Sequence, residues 1–302
     1  MMPMRIQQSQ RGFTLIEMIV VIVITGIIAG MVAMFLRAPV QGYVDSARRA
    51  EMTDIADTAL RRIAREMRTA VPNSVRLPSA TGSFYIEFLP TTDGGRYRVS
   101  PTGGAACAAS ALGDALSFDG ADNCFGIIGA PVTTTAGDAV VIGSTQSAGS
   151  QPYQAVNSAT GVRRMVSAAG TTTVQVTSGT KLPASAELDG HRFEVVPAAV
   201  QAVTYACETL GTDANGDGTG TLTRYWGYGF IADPTKAVPP AFAGKASGPV
   251  SALLADKVSA CSFDYDTAAG NARNSLVAVS LTITRGGESI RLYHEIHINN
   301  IP

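Results

Sequence analysis

The sequence is short of the side chains that carry most enzyme chemistry. It has three histidines, one tryptophan and four cysteines in 302 residues, and only 16% of its residues are charged. No G-x-S-x-G elbow and no phosphate-binding loop occurs. Ser178 and Lys181 form an S-x-x-K, but the companion motifs of a penicillin-binding enzyme are missing. His294, Glu295 and His297 do not make the H-E-x-x-H of a zinc protease, and on a strand residues three apart point to opposite faces. There is no C-x-x-C, so zinc is a weak reading of the cysteines. A net charge of −1 supplies no basic field, and nucleic-acid binding is not indicated. These absences disfavour an enzyme and call for no cofactor.

What is present is one long apolar run near the N-terminus. From Phe13 to Leu36 only Glu17 is ionisable, and a helix of that length spans the roughly 30 Å hydrocarbon core of a bilayer. Two features are odd for a plain anchor. A carboxylate inside a membrane helix costs about 2.5 kcal/mol or more, and the next cation along the chain is Arg37. The small Gly12 precedes the apolar run, where a secretory signal would place its cleavage site after it. Cutting between Gly12 and Phe13 resolves both, because the new α-amine is a cation near neutral pH. That amine lies about one helical turn from Glu17 in the same chain. In a bundle of such helices it can instead pair with Glu17 of a neighbour, a register device made from a buried charge.

Gly12-Phe13-Thr14-Leu15-Ile16-Glu17, behind a short leader with Arg5 and Arg11, resembles the class III signal of type IV prepilins. The resemblance implies cleavage after Gly12 by a prepilin peptidase, N-methylation of Phe13 by the same enzyme, and an assembly role for Glu17. It also implies partners: other pilin subunits, the pilus assembly platform and the membrane. The basic leader places the N-terminus in the cytoplasm by the positive-inside rule. The head is then expected in the periplasm of an inner-membrane precursor, and later at the cell surface in a pilus.

Gly26 and Gly30 form a G-x-x-x-G pair that allows close helix approach. Pro39 is expected to interrupt or kink the helix. Beyond it Val44, Ala47, Met52, Ile55, Ala59, Leu60, Ile63 and Met67 recur at helical spacing until Pro72. The basic run Arg61, Arg62, Arg65 and Arg68 reads as a solvated helix face before it reads as a binding patch. The expected organisation is a leader over 1–12, an assembly helix over 13–36, its amphipathic continuation over 37–71 and a β-rich head over 72–302. The fold class is α+β, a long helix packed on an antiparallel sheet, which is pilin-like by resemblance.

After Pro72 the chain turns to short β-branched runs between Gly, Ser, Asn, Asp and Pro. Strands are predicted over 83–89, 96–99, 139–142, 172–176 and 192–196. A later meander is predicted over 200–207, 221–230, 258–265, 276–284 and 289–298, with turns at 213–220, 269–271 and 285–287. The stretch from about 80 to 190 has no well-defined register. An even cysteine count in an exported head favours two disulfides, with Cys107–Cys124 and Cys207–Cys261 the preferred pairing among three. Asp213, Asn215 and Asp217 match the first half of a calcium loop, but Arg224 stands where the bidentate Glu belongs, and an Asx-rich turn is the simpler reading. Trp226, Tyr228 and Phe230 are expected to alternate on one strand and pack on the helix.

Separated segments also resemble minor pilins of the MSHA pilus biogenesis type (MshO-like). These are Arg65-Glu66-Met67-Arg68, Pro72 to Arg76, Glu87 to Pro90, Gly94 to Arg98, and the tail His297 to Pro302. That resemblance implies a minor subunit at the tip or in priming. A pseudopilin of type II secretion and a tip adhesin are the alternatives.

Overall fold

The structure, a computed structural model, describes residues 12–102, 113–145, 152–154, 161–177, 181–239, 242, 248–265 and 274–301. A single helix, α1, runs from Leu15 to Met67. It continues through Pro39, where an interruption was expected. Proline there removes one ladder bond, to the carbonyl of Phe35, a residue that is 80% exposed. The helix ends at Met67, short of Val71. Thr69 and Ala70 close the last turn with i→i−3 bonds to Glu66 and Met67. Val71 then donates to the Leu89 carbonyl at 2.8 Å and leaves the helix. By internal contacts the chain divides into two units, Met1–Glu51 and Met52–Pro302.

In the first unit every described residue from Gly12 to Val44 is exposed, and the apolar window of the helix has none of its surface buried. The helix is long and apolar enough to cross a membrane. In the second unit the helix changes character. Met52, Ala56, Ala59, Leu60, Ile63, Ala64 and Met67 are buried at three- and four-residue spacing. They form one core with Phe88, Tyr205, Leu222, Val279 and Leu281 of a sheet. Arg61 pairs with Asp57 and Arg62 with Glu66 on the outer side. Glu66 also takes Arg224 from the sheet at 2.8 Å, tying helix to strand.

That sheet has seven antiparallel strands: β1 (Ser79–Ala80), β2 (Ser83–Phe88), β9 (Val203–Glu208), β10 (Gly220–Trp226), β11 (Val250–Tyr265), β12 (Asn274–Arg285) and β13 (Glu288–Asn299), in that spatial order. Strand β12 shows the period of two plainly, with Val277, Val279, Leu281 and Ile283 buried on one face. Gly286 and Gly287, at φ 56° and 79°, close the β12–β13 hairpin as the two left-handed residues of a type I′ turn. Strand β10 stops at Trp226, short of the predicted Phe230, because Gly227 and Gly229 take positive φ. Strand β9 begins at Val203, since Gln201 is left-handed. Strand β11 extends back to Val250, well before the predicted start. The predicted turn at 269–271 lies outside the described residues.

Between β2 and β9 the chain builds a second body. Strands β3 (Asp93–Tyr97), β4 (Cys124–Ile128), β5 (Ala139–Ile142), β6 (Arg163–Ala168), β7 (Thr173–Val176) and β8 (Arg192–Val196) close into a barrel in the order β3-β4-β7-β6-β5-β8. Strands β4 and β6 were not expected. The barrel core contains Tyr97, Phe125, Val140, Val174 and Phe193, with the Phe125 and Phe193 rings edge-on at 5.3 Å. Phe88 and Val203 are paired residues in the sheet, so the chain leaves for the barrel and returns from it at one point. A third cluster, with Val71, Leu89, Val141, Tyr153, Tyr228 and Phe242, joins barrel to sheet. Strand β5 is buried on both faces because Val140 and Ile142 serve the barrel core while Ala139 and Val141 serve this seam.

Candidate processing and assembly segment

Gly12, Phe13 and Thr14 precede the helix in non-helical conformation, and Phe13 is 78% exposed. The Gly12–Phe13 peptide bond is therefore outside the helical ladder and open to a protease. Among the described residues no atom lies within 4 Å of a Cβ built on Gly12. Thr14 is the N-cap: its Oγ1 accepts from the Glu17 N–H at 3.3 Å, and its carbonyl accepts from Met18. Thr14-Leu15-Ile16-Glu17 thus has the T-x-x-E spacing of a capping box, a signal in the sequence that the charge argument alone overlooked. An acid in the first turn also complements the positive end of the helix dipole. A free amine at Phe13 would sit at that same end and needs an anion close by. Glu17 forms no ion pair among the described residues. Gly26 and Gly30 lie on the exposed helix with open space around each. Nearby, Thr25 folds its hydroxyl back to the Val21 carbonyl at 2.7 Å, which hides a polar group from an apolar surrounding.

The head places the remaining predicted residues as follows. Cys207 and Cys261 are joined, with Cα atoms 6.2 Å apart, across β10. Cys124 is disulfide-bonded, while Cys107 lies outside the described residues. The Asp213 carboxylate accepts from the backbone N–H groups of Asn215 and Asp217, an Asx turn. Asp217 accepts from Gly286 N at 2.7 Å and faces Lys257 at 3.1 Å; the backbone bond and the ammonium hold its carboxyl below the ordinary range. Asp213 is thus spent inside the loop, and Asp217 pins the loop on the β12–β13 turn. Gly216 shares in this, because a Cβ there would meet Gly287 N at 2.6 Å. His294 and His297 lie on opposite faces of β13. Ser178 lies outside the described residues.

The aromatic run does not share one face, which corrects the sequence reading. Trp226 borders the helix–sheet core with Arg224 over its ring, but Tyr228 and Phe230 lie beyond the strand in the barrel seam. Tyr228 stacks on Phe242 at 4.1 Å, and Phe230 lies under the Arg163 guanidinium at 3.7 Å.

That seam contains a network with no local signature. Glu87 is fully buried and meets Arg76 Nε at 2.5 Å, while Tyr228 OH donates to its other oxygen at 3.0 Å. Arg76 also donates to the Ile231 and Ala232 carbonyls and lies over the Tyr153 ring at 3.6 Å. Burial pushes the Glu87 carboxyl above its ordinary range, against the pull of Arg76 and Tyr228.

Residues 7–33 match the prokaryotic N-terminal methylation motif, the prepilin signal of type IV pilin-like proteins. Such a motif implies processing by a prepilin peptidase and assembly with other pilin-like subunits. No curated protein and no solved structure matches the chain.

Proposed function

We propose that this chain is a minor pilin of a type IV pilus of the MSHA type, made as an inner-membrane precursor with its head in the periplasm. Prepilin peptidase cuts between Gly12 and Phe13 and methylates the Phe13 amine; residues 13–36 then pack among like helices. The observation that carries the reading is the prepilin motif set directly on a wholly exposed apolar helix. Such a helix cannot stay in water, and in either lipid or a filament core its surface is matched. In the filament, Glu17 meets the Phe13 amine of a neighbouring subunit, which neutralises both charges and sets the axial register. The barrel inserted beside the sheet enlarges the head, which suits a priming or tip position better than a close-packed shaft. Leader, helix and head divide at about residues 12, 36 and 71.

The test is Glu17→Ala. Processing to the mature length should persist, while the amount in sheared filaments should fall at least about tenfold, as expected for an unpaired buried cation costing more than 1.4 kcal/mol. Normal incorporation of the variant would refute the assembly role. Gly12→Val should leave uncut precursor in the membrane, read as a larger band. A pseudopilin of type II secretion carries the same motif, and recovery of the chain with secretion components in place of pili would favour that alternative.

A further inference from the structure

The outer face of the barrel carries an arrangement that the pilin reading does not use. The Tyr97 N–H donates to the His191 carbonyl just beyond the Arg96–Arg192 pair, the bond that flanks a non-hydrogen-bonded pair in an antiparallel ladder. Arg96 and Arg192 are then such a pair, the kind whose side chains come closest. Like charges directly opposite are destabilising in a sheet. Neither arginine is in an ion pair among the described residues, and Arg96 spends its Nε on the Gly190 carbonyl at 3.2 Å.

Two residues on, Glu194 stands opposite Gly94, where a Cβ would come within 3.1 Å of the Phe193 carbonyl, and both residues line a cleft. Its volume is about 320 Å³, and the end of α1 brings Arg68 and Thr69 to the opposite wall beside Asn299. Three guanidinium groups against one carboxylate leave the cleft cationic. Its size is that of a small-molecule site. Its walls offer hydroxyl, amide and carboxylate groups more than apolar surface, which suits a body bearing hydroxyls.

We propose that this cleft binds a sugar-sized ligand bearing an oxyanion, a carboxylated or phosphorylated saccharide, with Arg96 and Arg192 forking the anion and Arg68 closing the rim. Arginine pairs match the two oxygens of such groups bidentately. The anion relieves the repulsion that the strand register imposes.

The experiment is calorimetric titration of the detergent-solubilised full chain with glucuronate, glucose 6-phosphate and glucose at fixed ionic strength. Saturable binding of either charged sugar, with glucose at least about tenfold weaker, supports the site. Tighter glucuronate assigns a carboxylate, and tighter glucose 6-phosphate a phosphate. Arg96→Gln and Arg192→Gln should each lose about tenfold in affinity or more, yet Arg96→Gln, which leaves the attraction of Arg192 for Glu194 in place, should melt at a higher temperature than the parent without ligand, because the facing charge is gone. A purely structural arginine pair would give the opposite shift in melting. No saturable binding of either anion into the millimolar range, equal binding of glucose, unchanged affinity in both variants, or competition only by an acidic peptide overturns the proposal. None of these readouts requires filaments, so its failure and that of the pilin reading are separately visible.

Discussion

Thr14 and Glu17 show how two residues can serve the same helix end in different ways. Thr14 caps it with a side-chain oxygen that accepts from the Glu17 N–H, and Glu17 supplies the negative charge that the helix end favours. Thr14→Ala should cost about 1 kcal/mol locally, seen as faster amide exchange at Glu17 with the head unaffected. In the head, Glu87→Gln leaves the buried Arg76 guanidinium without its counter-ion. A loss of about 3–5 kcal/mol in unfolding free energy is expected, measured by denaturant titration, and a change under about 1 kcal/mol would contradict the buried-pair argument. Glu194 differs because burial, opposed by Arg192, pushes its carboxyl up to about 7. A carboxyl raised in the folded state adds stability that is full below its unfolded value near 4.5 and is lost as pH rises through about 7. Glu194→Gln should therefore flatten the fall in melting temperature between pH 5 and pH 8.

Among the elements, α1 is asymmetric along its length because its apolar residues surround it before Val44 and form a stripe after Met52. The stripe is a core component: Ile63→Ala should cost about 2–5 kcal/mol, whereas Ile27→Ala, 54% exposed, should leave the head's stability unchanged. The Cys207–Cys261 bond closes a separation of 54 residues, so its loss in a double alanine variant should cost about 4 kcal/mol by loop entropy. Reductive melting of the parent should show at least that drop, since reduction opens the Cys124 disulfide as well.

At the scale of the whole head, sheet and barrel are sequence-nested: β2 and β9 are hydrogen-bonded neighbours with the barrel threaded between them. They share the seam around Tyr228, Phe242, Tyr153 and the Arg76–Glu87 pair. The two bodies should accordingly unfold in one calorimetric transition, and two well-separated transitions would show that the seam does not couple them.

What the sequence determined by itself was local. The prepilin motif is contiguous, the apolar run is contiguous, and the buried stripe of α1 repeats at helical spacing within a single element. The strands at 139–142 and 192–196 match their predictions because β-branched residues crowd those segments. Tertiary structure decided everything that depends on partners far along the chain. The barrel was illegible because its strands are short, Gly-rich in β3 and closed only by pairings such as Asp93 with Val195. The Glu87 network has no motif, since its members lie on β2 and three separate loops. The end of β10 turned on two glycines adopting positive φ, where an alternating aromatic pattern suggested more strand. The facing of Arg96 and Arg192 followed from register alone: side chains alternate with a period of two, so a slip of one residue would have placed one of them in the barrel core.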